Sequence, residues 1–167
     1  MKKVIVSAIF SLFFSSLTAQ YYIEPSVAVT TFLEGLGTSN IEKVTPFVSN
    51  IMVYQTVITD KDKNIQTLTY RKDNFLYAIG KAPKDSCTET FQLGISSKDG
   101  VLATVWTNYN RVLKKGNVVC GSRVFHLLLL EKGWQIIQGL ETQFQQCPNN
   151  VGKGQNIELP SPFFKNR

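Results

Sequence analysis

The sequence predicts an α+β domain: three helices packed on one face of a strongly curved, mainly antiparallel six-stranded sheet. Three observations carry this. Pro25 to Leu36 places Val29, Phe32, Leu33 and Leu36 on one face at helical spacing. From Cys87 onward, four segments rich in β-branched and aromatic residues recur at regular intervals, separated by the Gly-containing turns SSKDG, KKGN and EKG. Finally, the stretch from Cys120 to Ile137 carries four consecutive leucines, Leu127 to Leu130. Side chains alternate across a strand, so four leucines in a row make both faces of this hairpin apolar.

The elements follow in order. Pro25 suits the first turn of the first helix because its missing N–H would be unpaired there in any case. Gly35 and Gly37 end that helix. Ser39 or Asn40 caps a second, spanning Ile41 to Ser49, with Ile41, Val44 and Phe47 inward. NIMVYQTVIT and IQTLTY read as a hairpin joined by the polar turn DKDKN. That turn begins like a calcium loop, but its sixth position is Ile65 and its twelfth Arg71, where Gly and Glu are needed. KDNFLYAIGK is a third, short helix from Lys72 to about Gly80. The last four strands are expected over Cys87–Ile95, Val101–Leu113, Val118–Leu130 and Trp134–Gln145.

Residues 1–19 read as a signal peptide: a basic start at Lys2 and Lys3, an apolar run from Val4 to Phe14, then small and polar residues. The run is shorter than the ~20 residues that span a bilayer. Residues 20–147 form the domain, and residues 148–167, dominated by Gly, Pro and Asn, an irregular tail. The expected location is secreted or periplasmic, with no membrane association once the signal is removed. Removal lowers the net charge from +6 to +4. The remaining charges are scattered, without the basic stripe and interleaved aromatics of a nucleic-acid binder. Three cysteines far apart and one histidine fit no metal site, and no cofactor motif is present.

Strand alternation selects a candidate pocket face. With Phe125, Leu127, Trp134 and Ile136 inward, the same parity selects Glu89, Phe91 and Leu93 on the first of the four strands. It selects Val105, Thr107, Tyr109 and Arg111 on the second, Arg123 on the third, and Gln138, Leu140 and Thr142 on the fourth. Phe91, Val105, Phe125, Leu127 and Trp134 make an apolar floor. Tyr109, Arg111, Arg123 and Thr142 make a polar end, with Glu89 a weak candidate for a general base and Tyr109 for an orienting group. The plainer reading is a solvated cross-strand Glu–Arg pair, and a one-residue bulge would reverse the parity. His126 falls on the outer face, where a structural role is expected. Trp106 is outward too.

The order helix, helix, two strands, helix, four strands resembles the nuclear transport factor 2-like superfamily, shared by ketosteroid isomerase and the SnoaL-like cyclases. The likeness covers roughly Ser26 to Cys147. Within it, ATVWT-Y from Ala103, CG at Cys120, F-L at Phe125 and GW-I at Gly133 are similar to the lumazine-binding branch. The resemblance implies a cone whose curved sheet encloses a pocket, and its branch name implies a pterin-like ligand. The branch's His before the Cys and its closing Asp-Thr-Arg are here Val119 and Glu141-Thr142-Gln143.

The expected function is binding of a flat, partly anionic or carbonyl-bearing small organic ligand, without catalysis. Arg123→Met should then weaken binding roughly tenfold or more and leave thermal stability nearly unchanged. The alternatives are a cofactor-free isomerase, dehydratase or cyclase using Glu89 and Tyr109, and a protein-interaction module. A raised Glu89 pKa favours the enzyme, an open cone with Glu89 paired to arginine the binder, and a filled cone the module. Cys120 and Cys147 share outward parity near the paired strand ends, so they are expected to form a disulfide with Cys87 free. The outer face, with Val124, Leu128, Leu130 and Ile137, is expected to form a homodimer.

Overall fold

A computed structural model describes residues 23–83, 87–114 and 116–147. The expected signal peptide (1–19) and tail (148–167) lie outside the described residues. Three helices, α1 (Pro25–Gly37), α2 (Ile41–Val44) and α3 (Lys72–Lys81), pack on six strands: β1 (Val48–Thr59), β2 (Ile65–Arg71), β3 (Cys87–Asp99), β4 (Leu102–Leu113), β5 (Val118–Leu130) and β6 (Gly133–Phe144). The sheet order is β2-β1-β6-β5-β4-β3, and only the β1–β6 pairing is parallel.

The core lies between α1, α3 and the inner sheet face. Phe32 of α1 stacks on Phe75 of α3 at 6.0 Å and meets the edge of Phe125 at 5.6 Å. Val29, Phe32, Leu33, Val105, Phe125, Leu127, Trp134 and Ile136 are all buried. Each fully buried side chain of this size contributes roughly 1.5–3 kcal/mol of apolar burial. The second helix is shorter than its spacing suggests. Pro46 has no N–H to continue an α-helix, so the chain tightens into a 3-10 turn at Thr45–Phe47 and enters β1 at Val48. Asn40 caps α2 by accepting from the Lys43 N–H at 3.0 Å. Ile41 is exposed, not inward.

The larger correction concerns β6. Leu127 pairs with Ile136 but His126 pairs with Gln138, so Ile137 is an extra, bulged residue. Beyond it the alternation inverts. Gly139 and Glu141 are buried, while Gln138, Leu140 and Thr142, expected inward, fall on the opposite parity. At two positions the packing leaves no room for a side chain. A Cβ at Gly139 would collide with the Tyr54 ring, and one at Gly121 with the Thr142 carbonyl. The Cys120–Cys147 disulfide is present, with Cα atoms 5.6 Å apart, and Cys87 is free.

Candidate functional site: a cavity beside a buried ion cluster

The polar end of the sheet is built by four charged side chains from four strands. Arg123 of β5, 1% exposed, sits at the centre. Its Nη1 donates to Glu89 Oε1 at 2.6 Å and its Nη2 to Glu89 Oε2 at 2.9 Å. Its Nε and Nη2 also donate to Glu141 Oε1, at 3.3 and 3.1 Å. Arg111 of β4 adds its Nε and Nη2 to Glu89 Oε2 at 2.9 and 2.7 Å. The second oxygen of Glu141 accepts from the Tyr54 hydroxyl at 3.0 Å and the Thr56 hydroxyl at 3.3 Å. Beneath them lies the Tyr109 ring, 3.9 Å from the Arg123 guanidinium carbon, its hydroxyl donating to the Thr142 carbonyl.

This arrangement sets the protonation states. Burial pushes the Glu89 carboxyl up, but the hydrogen bonds and charge of Arg123, with the charge of Arg111, outweigh it and hold the group below its ordinary 4.5. Glu141 follows the same balance: burial raises it, and the charges of Arg123 and Arg111 bring it below 4.5. Burial, reinforced by the negative charge of Glu141, raises both Tyr54 and Tyr109, so both phenols stay neutral. At neutral pH the cluster holds two cations and two anions.

One side of this cluster faces a cavity of about 330 Å³. Its apolar wall comes from Leu36 at the end of α1, Ile58 and Leu68 of the β1–β2 hairpin, and Phe75, Ala78 and Ile79 of α3. Alternation explains the strand contribution, since Tyr54, Thr56 and Ile58 share one face of β1, and Leu68 and Tyr70 one face of β2. On α3, Phe75 and Ile79 are one helical turn apart.

The expected site residues divide. Glu89, Arg111 and Arg123 meet and line the cavity. Tyr109 is buried behind the guanidinium groups. Phe125 and Trp134 are core beneath the helices and do not reach the cavity wall. Thr142 turns away: its Oγ1 accepts from the Ser122 N–H at 3.1 Å, because the bulge at Ile137 inverts the strand. Glu141 takes the inward place instead. The β1–β2–α3 wall is absent from the sequence-derived site, although the alternation Met52-Tyr54-Thr56-Ile58 signals it. His126 lies on the outer face with Nδ1 2.9 Å from the Thr104 hydroxyl. Among the described residues no cluster could hold a metal ion, and DKDKN is a polar turn in which Asp60 accepts from the N–H groups of Asp62 and Asn64.

Neither a protein-family model nor a curated protein matches this sequence. Solved structures do. A nuclear transport factor 2-like protein of unknown function from Silicibacter pomeroyi superposes with a TM-score of 0.54 at 14% identity, over 71% of this chain and 91% of its own. One from Shewanella baltica gives 0.52 at 14% identity, over 70% and 87%. An LEH-like epoxide hydrolase from M. tuberculosis gives 0.50 at 12% identity, over 70% and 79%. The chain therefore has the nuclear transport factor 2-like fold, an α+β cone with helices closing a curved sheet. At these identities the likeness defines architecture, and function has to be argued from the site.

Proposed function

We propose that this protein binds a small organic ligand in the cavity between α3, the β1–β2 hairpin and the ion cluster, without catalysis, after export to the periplasm or the cell exterior. The observation that carries the reading is the state of Glu89. Both of its carboxylate oxygens accept from arginines, Oε1 from Arg123 and Oε2 from Arg111 and Arg123, and its carboxyl is held low, which makes it a poor general base. Tyr109, its partner in the catalytic alternative, is 1% exposed and does not line the cavity. An apolar wall with a few polar groups is the usual form of a binding pocket, and about 330 Å³ falls within the range for small ligands. The disulfide supports an oxidising location. The branch resemblance to lumazine-binding proteins adds a flat heterocycle to the ligands worth screening.

Native mass spectrometry of the protein purified from its own cells tests this. A retained small molecule is expected, and Ala78→Trp, which fills the cavity from an exposed helix position, should lose it without a change in melting temperature. Retention undiminished in that variant would place the ligand elsewhere.

A second reading rests on the outer face. Trp106, Val124 and Leu140 stand side by side in cross-strand register, as do Leu102 and Leu128. Trp106, Leu102 and Leu140 are each at least 40% exposed. Two apolar rows on one exposed sheet face, flanking the row of Thr104, His126 and Gln138, support a two-fold dimer through the sheet.

A further inference from the structure

We infer that the cavity takes an uncharged ligand: an apolar body carrying a carbonyl or similar acceptor directed at Arg111. This deepens, and rests on, the ligand-binding reading. The four charged residues lining the cavity are Glu89, Arg111, Arg123 and Glu141, and their formal charges cancel. The arginines that would take an anion are already occupied. Arg123 directs four N–H bonds at the two carboxylates and is 1% exposed. Arg111 is committed to Glu89 through Nε and Nη2.

What remains is donor capacity without spare charge. Among the described residues, Nη1 of Arg111 and the polar groups of Tyr70 and Gln143 have no hydrogen-bond partner, and all three residues line the cavity. Arg111 is also the most exposed member of the cluster, its side chain 24% accessible against 1–7% for the other three. An anion entering here would shed its hydration shell beside two carboxylates and find no unpaired cation. A neutral acceptor sheds far less and gains a charge-assisted hydrogen bond from Nη1. The apolar wall of Leu36, Ile58, Leu68 and Phe75 removes the rest of the ligand from water. The cavity volume equals that of about ten water molecules, which suits a one- or two-ring compound.

The test compares 2-naphthamide with 2-naphthoate, which have the same shape and differ in charge, by calorimetric titration of the intact protein at neutral pH. The amide should bind about tenfold or more tightly than the carboxylate. Glu89→Gln leaves the cluster with one net positive charge, and should shift the preference between the two compounds toward the carboxylate by about tenfold. Arg111→Gln, at the least buried position of the cluster, takes away Nη1, since its shorter side chain ends in an amide near the place of Nε, and should weaken the amide by about tenfold. A carboxylate that binds wild type as tightly as the amide overturns the inference but leaves the ligand-binding reading standing. So does an Arg111→Gln variant with undiminished amide affinity, or a Glu89→Gln variant with an unchanged preference. If neither compound binds wild type at millimolar concentration, the inference falls, and the ligand-binding reading is decided separately by the native mass spectrum.

Discussion

Replacing Arg123 by Met should strongly destabilise the fold, the reverse of what strand parity alone suggests. Met keeps most of the apolar stem and removes the guanidinium. Four N–H···O contacts to Glu89 and Glu141 disappear together, along with the stacking on Tyr109 at 3.9 Å. Glu89 keeps Arg111 at 2.7 Å, so it stays paired. Glu141 does not fare as well. It keeps the hydroxyls of Tyr54 and Thr56, but its nearest remaining cation is Arg111 at 3.7 Å. Removing one partner of a buried pair costs about 3–5 kcal/mol, and a desolvated cation–π contact is worth roughly 1–2 kcal/mol. Arg111 recovers part of this, so the expected net loss is ~4 kcal/mol. That is a large share of the 5–15 kcal/mol typical of a domain, and corresponds to a melting-temperature drop of roughly 10–15 °C. Urea melts of wild type, Arg123→Met and Arg123→Met/Glu141→Gln at neutral pH would measure it. The double variant should regain about half the loss, since a neutral amide at 141 needs no cation and can still accept from Tyr54 and Thr56. A single variant within ~1 kcal/mol of wild type, or a double variant no better than the single, would refute the assignment of Arg123 as the keystone of the cluster.

Stability should fall on acidification. Glu89 and Glu141 have folded values below 4.5, so both contribute stability that is present above 4.5 and is lost as the pH drops through their folded values; acid titration followed by circular dichroism checks this, and a midpoint unmoved by Glu141→Gln would contradict it. Cys147→Ser opens the Cys120–Cys147 loop, of sequence separation 27, at its exposed end, and should cost roughly 3–4 kcal/mol in urea melts under non-reducing conditions; peptide mapping that links Cys87 to either partner would contradict the pairing. Leu140→Glu puts a charge in the middle of the outer face and should convert a sedimenting dimer to a monomer with the fold intact; wild type that sediments as a monomer at micromolar concentration would remove the dimer.

Much of this architecture is legible in local pattern. The helical spacing of Val29, Phe32 and Leu33, the capping Asn40 and the Gly-containing turns act over a few residues, and each element forms near its expected place. The strand alternation that put Arg123 and Phe125 on one face and His126 on the other held along β4 and β5, because no bulge interrupts the pairing of those two strands. It also brought Cys120 and Cys147 to one strand end.

Long-range packing decided the rest. Ile137 bulges where β6 bends against β5, and that extra residue exchanges Thr142 for Glu141 in the cluster. Nothing in the string GLET marks the inversion, because it follows from how β6 pairs with β5 and not from a local preference of those residues. The cavity is likewise a tertiary product. Its wall joins the end of α1, the β1–β2 hairpin and α3 to charged side chains of β3, β4, β5 and β6 that lie far along the chain, while the residues expected as its floor are covered by Phe32 and its neighbours. By itself the sequence determined which residues face the interior along each uninterrupted strand. Only the tertiary structure decided which interior positions are filled by a helix and which are left open, because that depends on where each helix comes to rest across the sheet.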